Sequence, residues 1–231
     1  NPTSLNEVPG KSTLLVTEMG GKIYSFPKEA GVEEANLVAD LAQHLKDPWT
    51  NKEVGILDLT LHPQFAQNHF VFICYVHPAD ERHVRVSRFK LTTDHPLQLV
   101  PNSEQVVITW PADAHNGGCI RFGKDGHLYI STGDNWGPNP PDFRNNGQDI
   151  TNLFSAVLRI DVNNPTDGKA YSIPSDNPFI NQQGARPEIW TYGLRNPWRF
   201  AIDRITGDLF VADNGWETWE SVHHPIRGSN C

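Results

Sequence analysis

The sequence predicts an all-β chain built from propeller blades, and three observations carry that prediction. The apolar segments are short, rich in β-branched and aromatic residues, and closed by turn signals. Glycine and proline, 18 of each in 231 residues, are spread between those segments and not gathered into a low-complexity tract. A glycine turn followed by an alternating aromatic strand recurs as Gly20-Gly-Lys-Ile-Tyr-Ser, Lys124-Asp-Gly-His-Leu-Tyr-Ile-Ser and Thr206-Gly-Asp-Leu-Phe-Val-Ala, with Asn68-His-Phe-Val-Phe-Ile as a weaker fourth copy. A turn plus an inner strand repeated every ~50 to 80 residues fits blades carrying long inserted loops. A β-sandwich would also give many short strands, but it would not need a repeated strand with glycine in front. Four copies are too few for most closed propellers of this blade size, so the expectation is one incomplete propeller domain over 1–231.

Nine segments read as strands in order: Leu14-Leu-Val-Thr, Lys22-Ile-Tyr-Ser-Phe, Phe70-Val-Phe-Ile-Cys-Tyr-Val, His83-Val-Arg-Val-Ser-Arg-Phe, Val106-Val-Ile-Thr-Trp, Gly126-His-Leu-Tyr-Ile-Ser, Val157-Leu-Arg-Ile-Asp-Val, Glu188-Ile-Trp-Thr-Tyr and Asp208-Leu-Phe-Val-Ala-Asp. One helical pattern interrupts them, with Leu37, Leu41 and Leu45 at a spacing of four behind Glu33 and Glu34. Seven tryptophans against one methionine point to a rigid aromatic interior.

Several function classes are disfavoured at this level. The most apolar stretch, Phe70 to Val76, is far short of the ~20 residues that span a bilayer. Nineteen Lys and Arg against 27 Asp and Glu give a net charge of −8 with no basic cluster, so a phosphate-binding surface for nucleic acid has no support. Cys74, Cys119 and Cys231 form an odd set without zinc spacing; Cys74 and Cys119 fall in strand-like runs and read as buried free thiols. Glycine-rich nucleotide loops, HExxH, a GxSxG elbow and an EF-hand loop are all absent from the sequence. A start at Asn1 without methionine reads as a mature or excised segment, from which any signal peptide has been removed.

The residues that could carry chemistry sit at strand ends. His115 precedes Gly117-Gly118, where backbone can approach a ligand closely. Asp134 follows nineteen residues later behind Gly133, after a strand–turn–strand excursion that returns the chain to the same end of the sheet. A carboxylate holding an imidazole is the geometry of a general base; the alternative is two polar loop residues without contact. Arg195 and Asn196, in Tyr192-Gly-Leu-Arg-Asn-Pro-Trp-Arg199, suit an anionic or carbonyl-rich planar ligand, or else a structural ion pair and an Asn-Pro turn. Asp213-Asn-Gly-Trp-Glu-Thr-Trp-Glu220 offers oxygen ligands for a hard cation, or is a solvated acidic loop. Glu53 precedes the Gly55 turn, and His62, before Pro63, reads as structural.

Taken together, these motifs resemble the soluble glucose/sorbosone dehydrogenase family, quinoproteins on a six-bladed β-propeller, to which the propeller of hedgehog-interacting protein is also similar. The residues that carry the resemblance are Gly55-Ile-Leu-Asp-Leu-Thr-Leu-His-Pro-Gln-Phe, His115-Asn-Gly-Gly through Gly133-Asp134, Val157-Leu-Arg-Ile-Asp-Val, Ser175-Asp-Asn-Pro-Phe, Tyr192-Gly-Leu-Arg-Asn-Pro-Trp and Thr206-Gly-Asp-Leu-Phe. The resemblance implies roughly four blades of a six-bladed ring and a sugar or polyol dehydrogenase using pyrroloquinoline quinone (PQQ) and Ca²⁺. Within it, His115 matches the base, Asp134 its orienting carboxylate, and Arg195 and Asn196 the quinone contacts. Gly215 and Trp216 match the backbone carbonyls that hold Ca²⁺, and Glu53 stands where the family has a cofactor-contacting glutamine. It further implies an extracytoplasmic protein that passes electrons to a cytochrome or other acceptor. A non-catalytic propeller binding a protein or glycan is the alternative. Departures from the family pattern are Gly55-Ile-Leu-Asp58 in place of Gly-Leu-Leu-Gly, a missing glycine near Ser155, and Glu53 itself; the basic residues that grip the quinone carboxylates in the family would lie beyond Cys231.

Overall fold

A computed structural model describes residues 1–44, 55–77, 82–137, 141–166 and 168–231. The chain divides into two compact units, 1–109 and 110–231. The first begins with a meander of β1 (Pro2–Glu7), β2 (Thr13–Glu18), β3 (Lys22–Pro27) and β4 (Asn36–Asp40), followed by one helical turn, α1 (Leu41–His44). A second meander holds β5 (Ile56–Leu61), β6 (Phe70–His77), β7 (His83–Lys90) and β8 (Gln105–Pro111), with the short α2 (Phe65–Asn68) between β5 and β6. The second unit contains a four-stranded sheet of β9 (Ile120–Phe122), β10 (Leu128–Thr132), β11 (Ala156–Ile160) and β12 (Ile189–Tyr192). Its other sheet has three strands, β13 (Pro197–Ile202), β14 (Leu209–Asp213) and β15 (Ser221–His223). Each sheet is laid down strand by strand in sequence order, which is the form of a propeller blade. The chain thus covers four blades of an all-β propeller.

All nine expected strands are present, as β2, β3, β6, β7, β8, β10, β11, β12 and β14. Burial follows from how each blade is covered. β10 and β11 are buried at every position, whereas β14 alternates, with Leu209, Val211 and Asp213 inside and Phe210 and Ala212 outside. The core of the first unit includes Leu15, Ile23, Ile56, Leu59, Ile73 and Phe89, and that of the second Cys119, Val157, Leu194, Phe200 and Val211. Cys74 and Cys119 are buried thiols outside any disulfide, as expected.

The helical reading of Leu37, Leu41 and Leu45, which the family resemblance already replaces with an extended edge and loop, is corrected. Leu37 lies on β4, paired with Tyr24 of β3, and only Leu41–His44 makes a helical turn; Leu45 falls outside the described residues. A segment this short gains more by completing the edge of β3 than by nucleating a helix, which fixes several dihedrals for one hydrogen bond.

His62, at the end of β5, is buried and takes the backbone N–H of Gln64 on its Nδ1 at 3.0 Å, in keeping with its structural reading. In the second unit two buried charges tie the long excursion between β11 and β12 to the blade. The Arg159 guanidinium, in the middle of β11, donates to Asp125 (2.8 Å), Asp176 (2.7 Å) and Asn177 (3.0 Å) and lies 4.9 Å from the Trp190 ring centre. Glu188, whose side chain is 1% exposed, accepts the Tyr171 hydroxyl at 2.8 Å and both Nε (3.1 Å) and Nη2 (3.0 Å) of Arg186. Burial pushes the Glu188 carboxyl up, but the donors from Arg186 and Tyr171 together outweigh it and hold the group below the ordinary carboxylate range.

Because that carboxyl is held lower in the folded chain than in the unfolded one, its stabilisation is present above the unfolded value of about 4.3 and is lost as pH falls through the folded value. Glu188→Gln is expected to lower the urea midpoint at pH 7, with the gap to wild type closing below about pH 4. A gap that stays constant across that range would show that the carboxylate is not the stabilising form.

Candidate active site

The site is built at the ends of strands in the second unit. β9 and β10 pair through Ile120 and Ile130, so the segment before β9 and the segment after β10 lie side by side. Gly118 N–H donates to the Ser131 carbonyl at 2.8 Å, drawing the histidine loop down onto β10. At Gly133 a Cβ would stand 1.8 Å from the His115 carbonyl oxygen, so only glycine lets β10 end beneath the histidine. His115 itself has φ of 49°, a left-handed conformation that non-glycine residues adopt at some cost and that is often found at functional sites.

His115 Nδ1 lies 2.8 Å from Asp134 Oδ1. The carboxylate is an acceptor, so Nδ1 carries the proton and Nε2 is left as the basic nitrogen of the ring. Asp134 is itself fixed: Oδ1 also accepts the Trp136 N–H at 3.0 Å, its carbonyl accepts Asn146 Nδ2 at 2.6 Å, and its N–H donates to the Arg195 carbonyl at 2.8 Å. Side-chain exposures of 1% for Asp134 and 15% for His115 place the carboxylate below and the imidazole towards the surface. The loop after Asp134 is aromatic, with Trp136 stacked on Phe143 at 5.7 Å and the Arg144 guanidinium 4.6 Å from the Trp136 ring centre.

Arg195 and Asn196 join the same end. Asn196 Oδ1 accepts the Gly117 N–H at 3.2 Å, and Arg195 Nη1 donates to the Asn214 carbonyl at 3.1 Å. The backbone N–H groups of Arg195 and Asn196 donate to Oδ2 (2.9 Å) and Oδ1 (2.7 Å) of Asp213, the last residue of β14. Burial raises the Asp213 carboxyl above its ordinary range even though both N–H groups pull the other way. Its oxygens are committed to these amides, and among the described residues no group of three or more His, Cys, Asp and Glu side chains is placed to hold a metal.

Gly215 and Trp216 follow in the next loop. A Cβ on Gly215 would meet the Trp219 carbonyl at 1.5 Å, and Gly215 N–H donates to Glu220 Oε2 at 2.8 Å, so the loop closes tightly on itself and Trp216 is left half-exposed. His115, Asp134, Arg195 and Asn196 are therefore brought together, with Gly215 one residue beyond Arg195's acceptor. Glu53 lies outside the described residues. The reading from spacing alone missed Asp213 as a backbone acceptor and Asn146 as the support of Asp134. The signal available for Asp213 was its position, an aspartate closing an alternating strand as Asp134 follows β10.

A family model described as glucose/sorbosone dehydrogenase matches residues 1–231. The chain belongs to the glucose/sorbosone dehydrogenase family. It is 30% identical over 235 residues to the aldose sugar dehydrogenase YliI of Escherichia coli, a match covering 100% of this chain and 58% of that protein. It is 31% identical over 170 residues to human hedgehog-interacting protein, covering 69% of this chain and 24% of that protein. Among solved structures, the PQQ-bound aldose sugar dehydrogenase of Streptomyces coelicolor matches 99% of this chain and 61% of its own, with a TM-score of 0.76 at 26% identity. The chain thus spans 58% of the length of its E. coli relative.

Ser155, where the family resemblance implies a glycine nearby, sits beside this cluster. Its N–H donates to the Gly133 carbonyl at 2.9 Å and its carbonyl accepts the Leu194 N–H at 3.1 Å. Its φ is 56° and its buried hydroxyl has no hydrogen-bond partner among the described residues. Ser155→Gly removes both penalties and is expected to stabilise the protein by about 1 kcal/mol, seen as a higher Tm. Gly133→Ala, by contrast, is expected to cost about 2 kcal/mol or more through the collision with the His115 carbonyl, read in the same melting experiment.

Proposed function

We propose that the whole protein oxidises an aldose or a related sugar or polyol with PQQ and Ca²⁺, using His115 as the base. The observation that carries this reading is the 2.8 Å contact between His115 Nδ1 and Asp134 Oδ1 at a strand-end cluster that also holds Arg195 and Asn196. Nε2 of His115 takes the proton of the substrate's anomeric hydroxyl, and the Asp134 carboxylate stabilises the imidazolium that results. Asp134 also fixes the tautomer, so the ring needs no reorganisation before proton transfer.

Arg195 fits the quinone: its Nε is buried with no hydrogen-bond partner among the described residues, a donor that is costly unless something at the site, such as a quinone oxygen, uses it. Arg195 and Asn196 would hold the cofactor, and Arg195 would stabilise negative charge developing on it. Calcium comes from the family resemblance: a hard cation at Gly215 and Trp216 would rest on their backbone carbonyls. When bound, PQQ supplies the two-electron acceptor for the hydride leaving the sugar carbon, and Ca²⁺ polarises it as a Lewis acid. Glu53 is proposed as a further cofactor contact from the resemblance.

We extend the proposal to an extracytoplasmic protein with a cytochrome or other electron acceptor, and to a six-bladed ring for the complete propeller. No helix among the described residues is long and apolar enough to cross a membrane. The similarity to hedgehog-interacting protein supports a second reading, a propeller that binds a protein or glycan through the same end.

Full-length protein loaded with PQQ and Ca²⁺ is expected to reduce an electron-accepting dye with an aldose panel, and His115→Ala to lose at least about 100-fold in kcat. Asp134→Asn should lose about tenfold or more, since an amide permits the wrong tautomer. Chelating the calcium should abolish turnover and readdition restore it. Absence of dye reduction across the panel, with no quinone binding by calorimetry, would overturn the enzymatic reading and favour the binding one.

A further inference from the structure

Asp213 is the residue at this site that no catalytic role requires and that the geometry makes central. Its side chain is 8% exposed at the end of β14, where the ladder pairs it with Pro197. Proline has no N–H to give, and the two residues before it present theirs in succession. The carboxylate takes both, Arg195 N–H on Oδ2 at 2.9 Å and Asn196 N–H on Oδ1 at 2.7 Å. It therefore fixes both peptide groups leading into β13.

Those two residues reach the base by separate routes. The Arg195 carbonyl accepts the Asp134 N–H at 2.8 Å, and Asp134 holds His115 Nδ1. The Asn196 side chain accepts the Gly117 N–H at 3.2 Å, two residues after His115, and its carbonyl accepts the Asn214 N–H at 3.1 Å. Asn214 in turn receives the Arg195 guanidinium at 3.1 Å. One carboxylate thus sets the backbone from which the Arg195 side chain, the Asp134 amide and the histidine loop all take their positions. The charged and titratable neighbour facing it is His223, whose Nε2 is 3.9 Å from Oδ2, too long for a hydrogen bond.

We propose that Asp213 is a positioning residue for the reaction, holding the Arg195-Asn196 backbone so that the His115–Asp134 pair and the Arg195 guanidinium are aligned together. The proposal rests on the sugar-oxidising reading for its kinetic consequence, but its structural consequence does not depend on that reading. Displacements of about 1 Å at such a site can cost on the order of 100-fold in rate.

The test compares full-length wild type, Asp213→Asn and Asp213→Ala with Leu209→Ala, a core change on the same strand that leaves the site's hydrogen bonds intact. Asp213→Asn keeps the volume and one acceptor but turns an NH₂ group against the second amide. It is expected to fold, to lose about 10- to 100-fold in kcat, and to change KM for the sugar by less than about threefold. The downfield Nδ1–H proton resonance of His115, shared with Asp134, should shift or broaden in both Asp213 variants and remain in place in Leu209→Ala. If Asp213→Ala does not fold, Asp213→Asn decides alone. An unmoved His115 resonance in Asp213→Asn would overturn the proposal, as would a kcat loss no larger than that of Leu209→Ala at matched stability. If wild type oxidises no sugar, the functional reading fails while the resonance still decides the role of Asp213.

Discussion

The arrangement in the second unit depends on one buried residue, Asp134, whose Oδ1 and backbone groups are bonded in several directions at once while Oδ2 has no partner among the described residues. A charge at 1% exposure is expensive unless it is hydrogen-bonded. Its Oδ1 receives the His115 ring and the Trp136 amide, while its own backbone engages Asn146 and Arg195. The histidine loop, the aromatic loop after β10 and the turn into β13 are therefore held to one another through a single residue. Moving any one of them leaves a buried polar group without a partner, which is why the imidazole has a defined tautomer and direction.

The blade topology makes this convergence possible. In an antiparallel meander every second strand end returns to the same edge, so the segments before β9, after β10 and before β13 can come together although 80 residues separate His115 from Arg195. Close approach is then permitted by missing side chains, at Gly133 beneath the His115 carbonyl and at Gly215 beneath the Trp219 carbonyl. Ser155 departs from this pattern. It occupies a left-handed conformation with a buried hydroxyl, a local cost sustained by the hydrogen bonds its backbone donates to the Gly133 carbonyl and accepts from the Leu194 N–H.

Membership of the glucose/sorbosone dehydrogenase family joins this chain both to aldose sugar dehydrogenases and to hedgehog-interacting proteins. The features that favour an oxidoreductase reading are local: an oriented imidazole with a free basic nitrogen, and a guanidinium with buried, unused hydrogen-bonding capacity close by.

Much of this was readable from residue order. Short runs of aromatic and β-branched residues between turn signals located nine strands, with a period-two trace where one face is exposed, as in β14, and a continuous apolar run where both are covered, as in β10 and β11. The pairing of His115 with Asp134 was legible as a possibility, since a hairpin returns its ends to one edge. Six strands were not read: β1, β4, β9, β13 and β15 are short or polar and depend on a neighbouring edge to complete, and β5 (Ile56–Leu61), buried at every position, entered only through the Gly55 turn and the family motif. The leucine spacing that suggested a helix misled for the same reason: the open edge of β3 outcompeted a local pattern. By itself the sequence determined the blade pattern, the acidic balance and the strand-end residues able to do chemistry. Only the tertiary structure decided that Asp213 serves two backbone amides, and that Asp134 faces His115, because hydrogen-bond partners distant in sequence are chosen by where strands end in space.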